Sequence, residues 1–267
     1  MHPRRSFGRW RLLLAPPRPG AENMARDMAL QARAARTAET VFSIYSWSRP
    51  TLSFGRHQPA VGLYDLEKLR DGDVDVVRRP TGGRAILHHH EITYSVTAPV
   101  EDASPLRATY SRINRILLDG LTRLGISAEI AAAAGRAESP SIRPCFETPG
   151  EGELVAQGRK LVGSAQWRNE GALLQHGSIL VGDDQSSLPT FATAAAANRP
   201  AGRSAQPATL TALLGRSPEP AEVANVMFDA VRSLEDPSAT DLDEDEIRAE
   251  ALEHLPQFLD EGWTWRR

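Results

Sequence analysis

One cysteine, Cys145, occurs in 267 residues. An intramolecular disulfide is therefore impossible, and so is a cysteine-rich structural zinc site. A lone thiol fits a reducing compartment. There is also no excess of positive charge. The formal net charge is -3, which argues against a general nucleic-acid binder, because such proteins usually carry a basic excess or stripe. Long apolar runs are missing as well. Near the start, basic residues precede only Leu12 to Leu14 and Ala15, too short for a signal-peptide core and far too short to span a bilayer. The expectation is a cytoplasmic protein that contacts neither membrane nor nucleic acid. No internal repeat is visible.

What is present is ordinary for a soluble enzyme: 41% hydrophobic and 24% charged residues. The length suits one large domain or two small ones, and one is the simpler reading. "WRLLLAPP" reads as a first strand stopped by prolines. Helix formers from about Glu22 to Ala35 follow it. "TVFSIYSWSRPTLSF" reads as two short strands joined by a turn, and "YDLEKLRDG" as a short helix closed by Gly72. Tyr110, Ile113, Ile116, Leu117, Leu121 and Leu124 keep helical spacing up to Gly125. Beyond Gly158 the pattern gives a hairpin, a polar stretch, a strand at Ala172 to Leu174 and another through Ile179. "EVANVMFDAVRSL" and "DEDEIRAEALEHLPQFL" read as surface helices. Strands with helices interspersed, lacking a regular βαβ rhythm, predict an α+β fold with a mixed sheet and flanking helices. Its core spans about 10–190, with a helical extension over about 190–267.

The densest stretch is "RRPTGGRAILHHHEITYS", residues 78 to 95. Gly82 and Gly83 admit positive φ and a close ligand approach. Arg78, Arg79 and Arg84 are placed to add charge-assisted bonds to a phosphate or carboxylate. The same residues also suit a plain glycine hairpin with solvated arginines. His88, His89 and His90 are consecutive, so on a strand His88 and His90 share a face. No H-E-x-x-H spacing accompanies them, so no metal is expected. Cys145 follows Pro144 near Arg143. A nearby cation favours the nucleophilic thiolate, although a lone cysteine is commonly a small buried hydrophobe. Lys160 sits between glycines in "QGRKLVG". Spacing alone does not bring Cys145 and Lys160 together.

Taken together, "WRLLL", "NMARDMAL", "YSWSRPTLSFGRHQ", "RRPTGGRAILHHHEITYS" and "GRKLVGSAQWRNEGALLQHGSIL" resemble the lipoate/octanoate branch of the biotin/lipoate protein ligase family, from about Trp10 to Leu180. The resemblance implies a mixed sheet with flanking helices and a pocket for an eight-carbon acyl chain, lined here by Arg79, Thr81, Gly82, Gly83, Arg84, His88, Gly163, Ser164, Gln166 and His176. It makes Lys160 the lysine that contacts the acyl carbonyl. Within the family, ligases use ATP, whereas one transferase group carries a nucleophilic cysteine in the loop before the "GRK" strand. Cys145 occupies that position, where ligases have an Asn-Asp loop. Gly-Gly-Arg replaces their usual Gly-Gly-Gly. The resemblance is closest to cysteine-dependent octanoyltransferases, which need no cofactor. It implies octanoyl-acyl carrier protein as donor and a lipoyl domain or glycine-cleavage H-type protein as acceptor. An ATP-dependent ligase and a lipoyl-domain amidotransferase are the alternatives within the family. A non-catalytic binding module is the alternative outside its chemistry.

Overall fold

Alternation along residues 91–99 sets the architecture. Ile92, Tyr94, Val96 and Ala98 enter one apolar core, while Glu91, Thr93, Ser95 and Thr97 point to the opposite face and are buried there too. A sheet covered on both faces, one of them polar, needs layers of helix on each side. The computed structural model describes residues 8–100, 105–131, 146, 150, 152–197 and 206–267, and it has that arrangement.

In chain order the elements are β1 (Trp10–Leu14), α1 (Gly20–Thr37), β2 (Thr40–Tyr45), β3 (Thr51–Phe54), α2 (Leu66–Asp71), β4 (Asp75–Arg78), β5 (Ile86–His88) and β6 (Glu91–Pro99). Then come α3 (Leu106–Arg123), β7 (Glu129–Ile130), β8 (Leu154–Ala156), β9 (Arg159–Asn169) and β10 (Ala172–Leu180). The chain continues through α4 (Ala194–Ala197), α5 (Leu210–Leu214), α6 (Pro220–Leu234), β11 (Thr240–Asp241), α7 (Asp245–Leu259) and α8 (Glu261–Thr264). The larger sheet has the order β11-β1-β2-β6-β10-β9-β8-β7, and a small sheet has the order β4-β3-β5. β1 runs parallel to β2 and β11. From β2 to β8 the neighbours in the larger sheet are antiparallel. The fold is thus a mixed-sheet α+β architecture, as its sequence implies.

Helices α3 and α6 cover the apolar face through Ile113, Ile116, Leu117, Met227, Phe228 and Val231. Helices α1 and α7 cover the other face through Met24, Leu30, Ile247 and Phe258.

The two short strands expected over residues 40–54 are β2 and β3, which enter different sheets. Three sequence expectations are corrected. The polar stretch after Gly158 is the outer half of β9, its polarity tolerated because both faces there are only half-buried. Residues 172–180 are one unbroken strand. Gly177 does not interrupt it but makes room for the Tyr94 ring, which a Cβ would meet at 2.7 Å. Finally, α6 is no surface helix, because Val223, Ala224, Met227, Phe228, Ala230 and Val231 are all buried. Helix α7, with only Ile247 and Phe258 buried, matches the surface reading.

This difference between the two helices is measurable. Met227→Ala should lower stability by about 2–4 kcal/mol in denaturant unfolding. Leu252→Ala on α7, 61% exposed, should change it by no more than about 0.5 kcal/mol. Equal losses would contradict the assignment of α6 to the core.

Candidate active site

The polar face of the sheet is built by register. His176 lies opposite Ser95 and Ser178 opposite Thr93. On the other side Ala165 pairs with His176 and Gly163 with Ser178. Residues facing one another across strands share a face, so these side chains converge. Thr93, Gly163, Ala165, His176 and Ser178 border a cavity together with Met24, Tyr45, Trp47, Arg79, Gly83, Ile86 and His88. Of the residues singled out in the sequence, Arg79, Gly83, His88, Gly163, Ser164 and His176 therefore meet at one place. A second cavity, between α1 and α7, contains none of them.

The Thr-Gly-Gly turn reaches the cavity through Gly83, and Arg78 and Arg79 are not offered to a ligand in the way the sequence suggests. The Arg79 guanidinium donates to the carbonyls of Gly82 (2.8 Å), Arg84 (2.7 Å) and Ser53 (3.1 Å), holding the turn from inside. Arg78 is fully buried and donates to the carbonyls of Gly55, Gln58 and Thr264. Burial, then the positive charges of Arg266, Arg267 and Arg79, lower its pKa to about 10. Gly83 has φ +98°, and a Cβ there would lie 2.7 Å from an Arg79 nitrogen. Gly82 needs neither exemption. Thr81 Oγ1 and His176 Nε2 share a hydrogen bond of 2.6 Å, and His176 Nδ1 is hydrogen-bonded to Asp27 Oδ2 at 2.8 Å. Tyr45 donates to the same carboxylate oxygen, so Asp27 fixes the ring from beneath.

His88 is locked in a parallel arrangement. Its Nδ1 lies 2.9 Å from Glu91 Oε1, which also accepts from Trp47 Nε1 and Thr93. Its Nε2 accepts from Ser53 Oγ at 2.7 Å, and Trp47 stacks on the ring at 4.0 Å. Burial pushes the imidazole below its ordinary pKa despite Glu91. Burial raises the Glu91 carboxyl, but His88 and the hydroxyl hydrogen bonds outweigh it and hold the group below its usual range. His90 does not share this face, as a continuous strand would require, because β5 ends at His88 and the next two histidines are exposed. Among the described residues, His89, His90 and Asp184 are the one group offering three metal-ligand atoms in reach of one another. It does not border the cavity.

Ser164 and Gln166 are on the other side of β9. Ser164 borders the cavity, but its hydroxyl accepts from Tyr94 at 2.6 Å on the core face. Gln166 pairs with the Gln175 amide at 2.7 Å. Alternation puts both opposite to Gly163 and Ala165, so Gln166 is not brought to the cavity.

Lys160 is 2% exposed. Its Nζ donates to Glu153 Oε1 at 2.6 Å and lies 4.6 Å from the Phe146 ring centroid. A buried ammonium needs such compensation. Its head lies against the cavity wall, because a Cβ on Gly163 would come within 2.9 Å of Lys160 Cε and 3.1 Å of Nζ. Cys145 falls outside the described residues. Phe146, covalently next to it, packs with Ile86 and Leu180.

Sequence reasoning missed Asp27, Glu91 and Glu153. Asp27 sits in a helical pattern that reads as amphipathic, and Glu153 in a Gly-rich loop. Glu91 carried the one signal, its place directly after three histidines.

Comparison with known proteins places this geometry. Residues 19–232 match the family model described as the lipoyl protein ligase A/B catalytic domain. The octanoyltransferase LipM of Carboxydothermus hydrogenoformans is 42% identical over 183 residues, covering 67% of each chain. That of Symbiobacterium thermophilum is 42% identical over 182 residues, covering 66% of each. The match thus spans about two thirds of these relatives. Among solved structures, a lipoate-protein ligase A bound with ATP superposes with a TM-score of 0.75 at 21% identity, covering 96% and 98% of the two chains. A bipartite lipoate protein ligase from Thermoplasma acidophilum gives 0.73 at 20% identity, covering 96% of each. At such identities the structural likeness speaks for the fold.

The His88 environment predicts a pH dependence. Its folded pKa lies below the unfolded one, so between the two the unfolded chain binds more protons and stability falls as pH drops below about 6.5. Unfolding free energy should fall between pH 7 and 5.5, by no more than about 1.4 kcal/mol per pH unit from this group. His88→Gln should flatten that slope. Parallel profiles for both proteins would contradict the assignment.

Proposed function

This chain belongs to the lipoyl protein ligase A/B catalytic domain family and is an octanoyltransferase of lipoate biosynthesis, and we propose that it carries the octanoyl group on Cys145 between a carrier-protein thioester and a lysine of a lipoyl-domain acceptor. The observation that carries this reading is Lys160, a buried ammonium held against the wall of the cavity beside Gly163. Phe146, the neighbour of Cys145, stands against that ammonium.

In the first step the Cys145 thiolate attacks the thioester carbonyl. The carrier thiolate leaves and takes up a proton, and an octanoyl-Cys145 thioester remains. One thioester replaces another, so the step is nearly balanced and needs no ATP. In the second step the neutral acceptor lysine attacks this carbonyl, an amide forms and the Cys145 thiol is released. Lys160 stabilises the oxyanion of both tetrahedral intermediates. The acyl chain occupies the cavity, where each buried methylene contributes about 0.8 kcal/mol, giving a basis for chain-length selection. Arg79 and Gly83 shape one wall, with Thr81, Gly82 and Arg84 completing the same turn. His88 and His176, each fixed by a carboxylate, shape the floor. A glycine-cleavage H-type protein fits the acceptor role as well as a dehydrogenase lipoyl domain does. A reducing cytoplasm suits the free thiol. We read all 267 residues as one catalytic unit. Among the described residues, no helix is long and apolar enough to cross a membrane.

The test is intact mass after incubation with octanoyl carrier protein and no ATP. Wild type should gain one octanoyl group, removable by hydroxylamine, and Cys145→Ala should gain none. Lys160→Met should still fold yet lose about a hundredfold or more in kcat/KM. An enzyme that labels a lipoyl domain only with octanoate plus ATP, indifferent to Cys145→Ala, would be a ligase.

A further inference from the structure

The pocket face of β9 continues past the cavity. Gly163, Ala165 and Trp167 lie on it at a spacing of two residues, and the Trp167 ring carries the Arg56 guanidinium 4.9 Å from its centroid. Trp263 flanks the same guanidinium at 5.7 Å. Arg266 stacks on Trp263 at 3.8 Å and donates to the Arg56 carbonyl. Two bonds tie this arrangement to the Thr-Gly-Gly turn: Arg56 N–H donates to the Thr81 carbonyl at 2.7 Å, and Trp263 Nε1 donates to the Arg78 carbonyl at 2.8 Å. Arg267 is held close by, its carbonyl accepting from Ala60 and Val61.

Arg56, Arg266 and Arg267 form no ion pair among the described residues, whereas Arg11, Arg33 and Arg36 on the α1 side are all paired with glutamates. These three guanidiniums at one edge of the site therefore have no acidic side-chain partner among the described residues, in a chain whose net charge is -3. The neighbouring groups register their charge. His57 is lowered by burial and then by Arg267, Arg56 and Arg266. Arg266 is itself lowered by burial, then by Arg56 and Arg267.

We propose that Arg56 and Arg266, set on Trp167 and Trp263, together with the adjacent Arg267, are the docking surface for the acidic carrier that delivers the acyl group, and that they receive the phosphodiester of its pantetheine arm. The inference rests on the reading of Cys145 as acceptor of a carrier-borne thioester. Charge chooses the donor over the acceptor. The donor's arm brings a phosphodiester, which arginine binds strongly, whereas the acceptor presents a lysine, whose ammonium form these three arginines repel.

The test compares three donors with wild type and the Arg266→Glu/Arg267→Glu double variant: octanoyl carrier protein, octanoyl-coenzyme A and octanoyl-pantetheine, which lacks phosphate. Both substituted side chains are exposed, and an unchanged unfolding midpoint checks the fold. The double variant should raise KM for the carrier roughly tenfold or more, leaving acylation of Cys145 by octanoyl-pantetheine within about twofold. KM of wild type for the carrier should rise with salt, and that of the variant should rise less. Arg56→Ala should act in the same direction. Equal KM values for variant and wild type would overturn the proposal. Octanoyl-coenzyme A, whose pantetheine arm also ends in phosphate, should lose affinity in the variant as the carrier does; an equal loss with octanoyl-pantetheine, or a loss confined to transfer onto the lipoyl domain, would also overturn it. Wild type that none of the three donors acylates would refute the thioester reading itself, and the docking proposal with it.

Discussion

Strand register is discrete, and a slip of one residue turns every side chain to the opposite face. In this sheet, three strands must agree for the site to exist. β10 sets Ser178 opposite both Thr93 on β6 and Gly163 on β9, and it sets His176 opposite Ser95 and Ala165. With that register the polar residues share the face covered by α1, while Tyr94, Leu173 and Ile179 face the apolar core. With any odd shift, His176 and Ser178 would enter the apolar core and Tyr94 would lose Ser164 and Gln175. The apolar face thus enforces the active face.

Charge on that face has to be compensated locally, and each compensation also fixes a geometry. Asp27 holds His176, Glu91 holds His88, and Glu153 holds Lys160. Arg79 is balanced against carbonyl dipoles of the turn it supports. Breaking one partner of such a pair leaves a buried polar group unmatched, so the carboxylates constrain the site as firmly as the residues that touch the cavity. The outcome is a cavity whose polar walls are already hydrogen-bonded to the protein. Lys160 lies against one wall of it, its head beside Gly163.

Much of this was legible in the sequence. Helix α3 was readable from its periodicity, and Gly83 and His88 of the cavity lining were among the residues singled out. The motif blocks pointed to the family. The errors have definite causes. Gly177 read as a break because a glycine within a strand looks like a turn until its neighbour, the Tyr94 ring, is known. Gln166 read as a site residue because a motif does not state which face its alternate residues take. Helix α6 read as surface because a mixed helix shows its buried side only against a partner, here α3. Arg78 and Arg79 read as ligand-binding because the carbonyls they satisfy are distant in sequence. Asp27 and Glu153 could not be matched to His176 and Lys160 by spacing at all.

The fold does not choose the chemistry. A lipoate-protein ligase bound with ATP shares it at a TM-score of 0.75, so the distinction rests on Cys145 and on the relatives that share about two fifths of the aligned residues. The central claim is that the acyl group passes through the enzyme itself. The most direct measurement is single turnover: octanoyl-enzyme freed of carrier is mixed with a lipoyl domain in the absence of ATP. The account predicts that octanoate moves to the domain's lysine at a rate no slower than steady-state kcat. Hydrolysis without transfer, or transfer only after ATP is added, would contradict it.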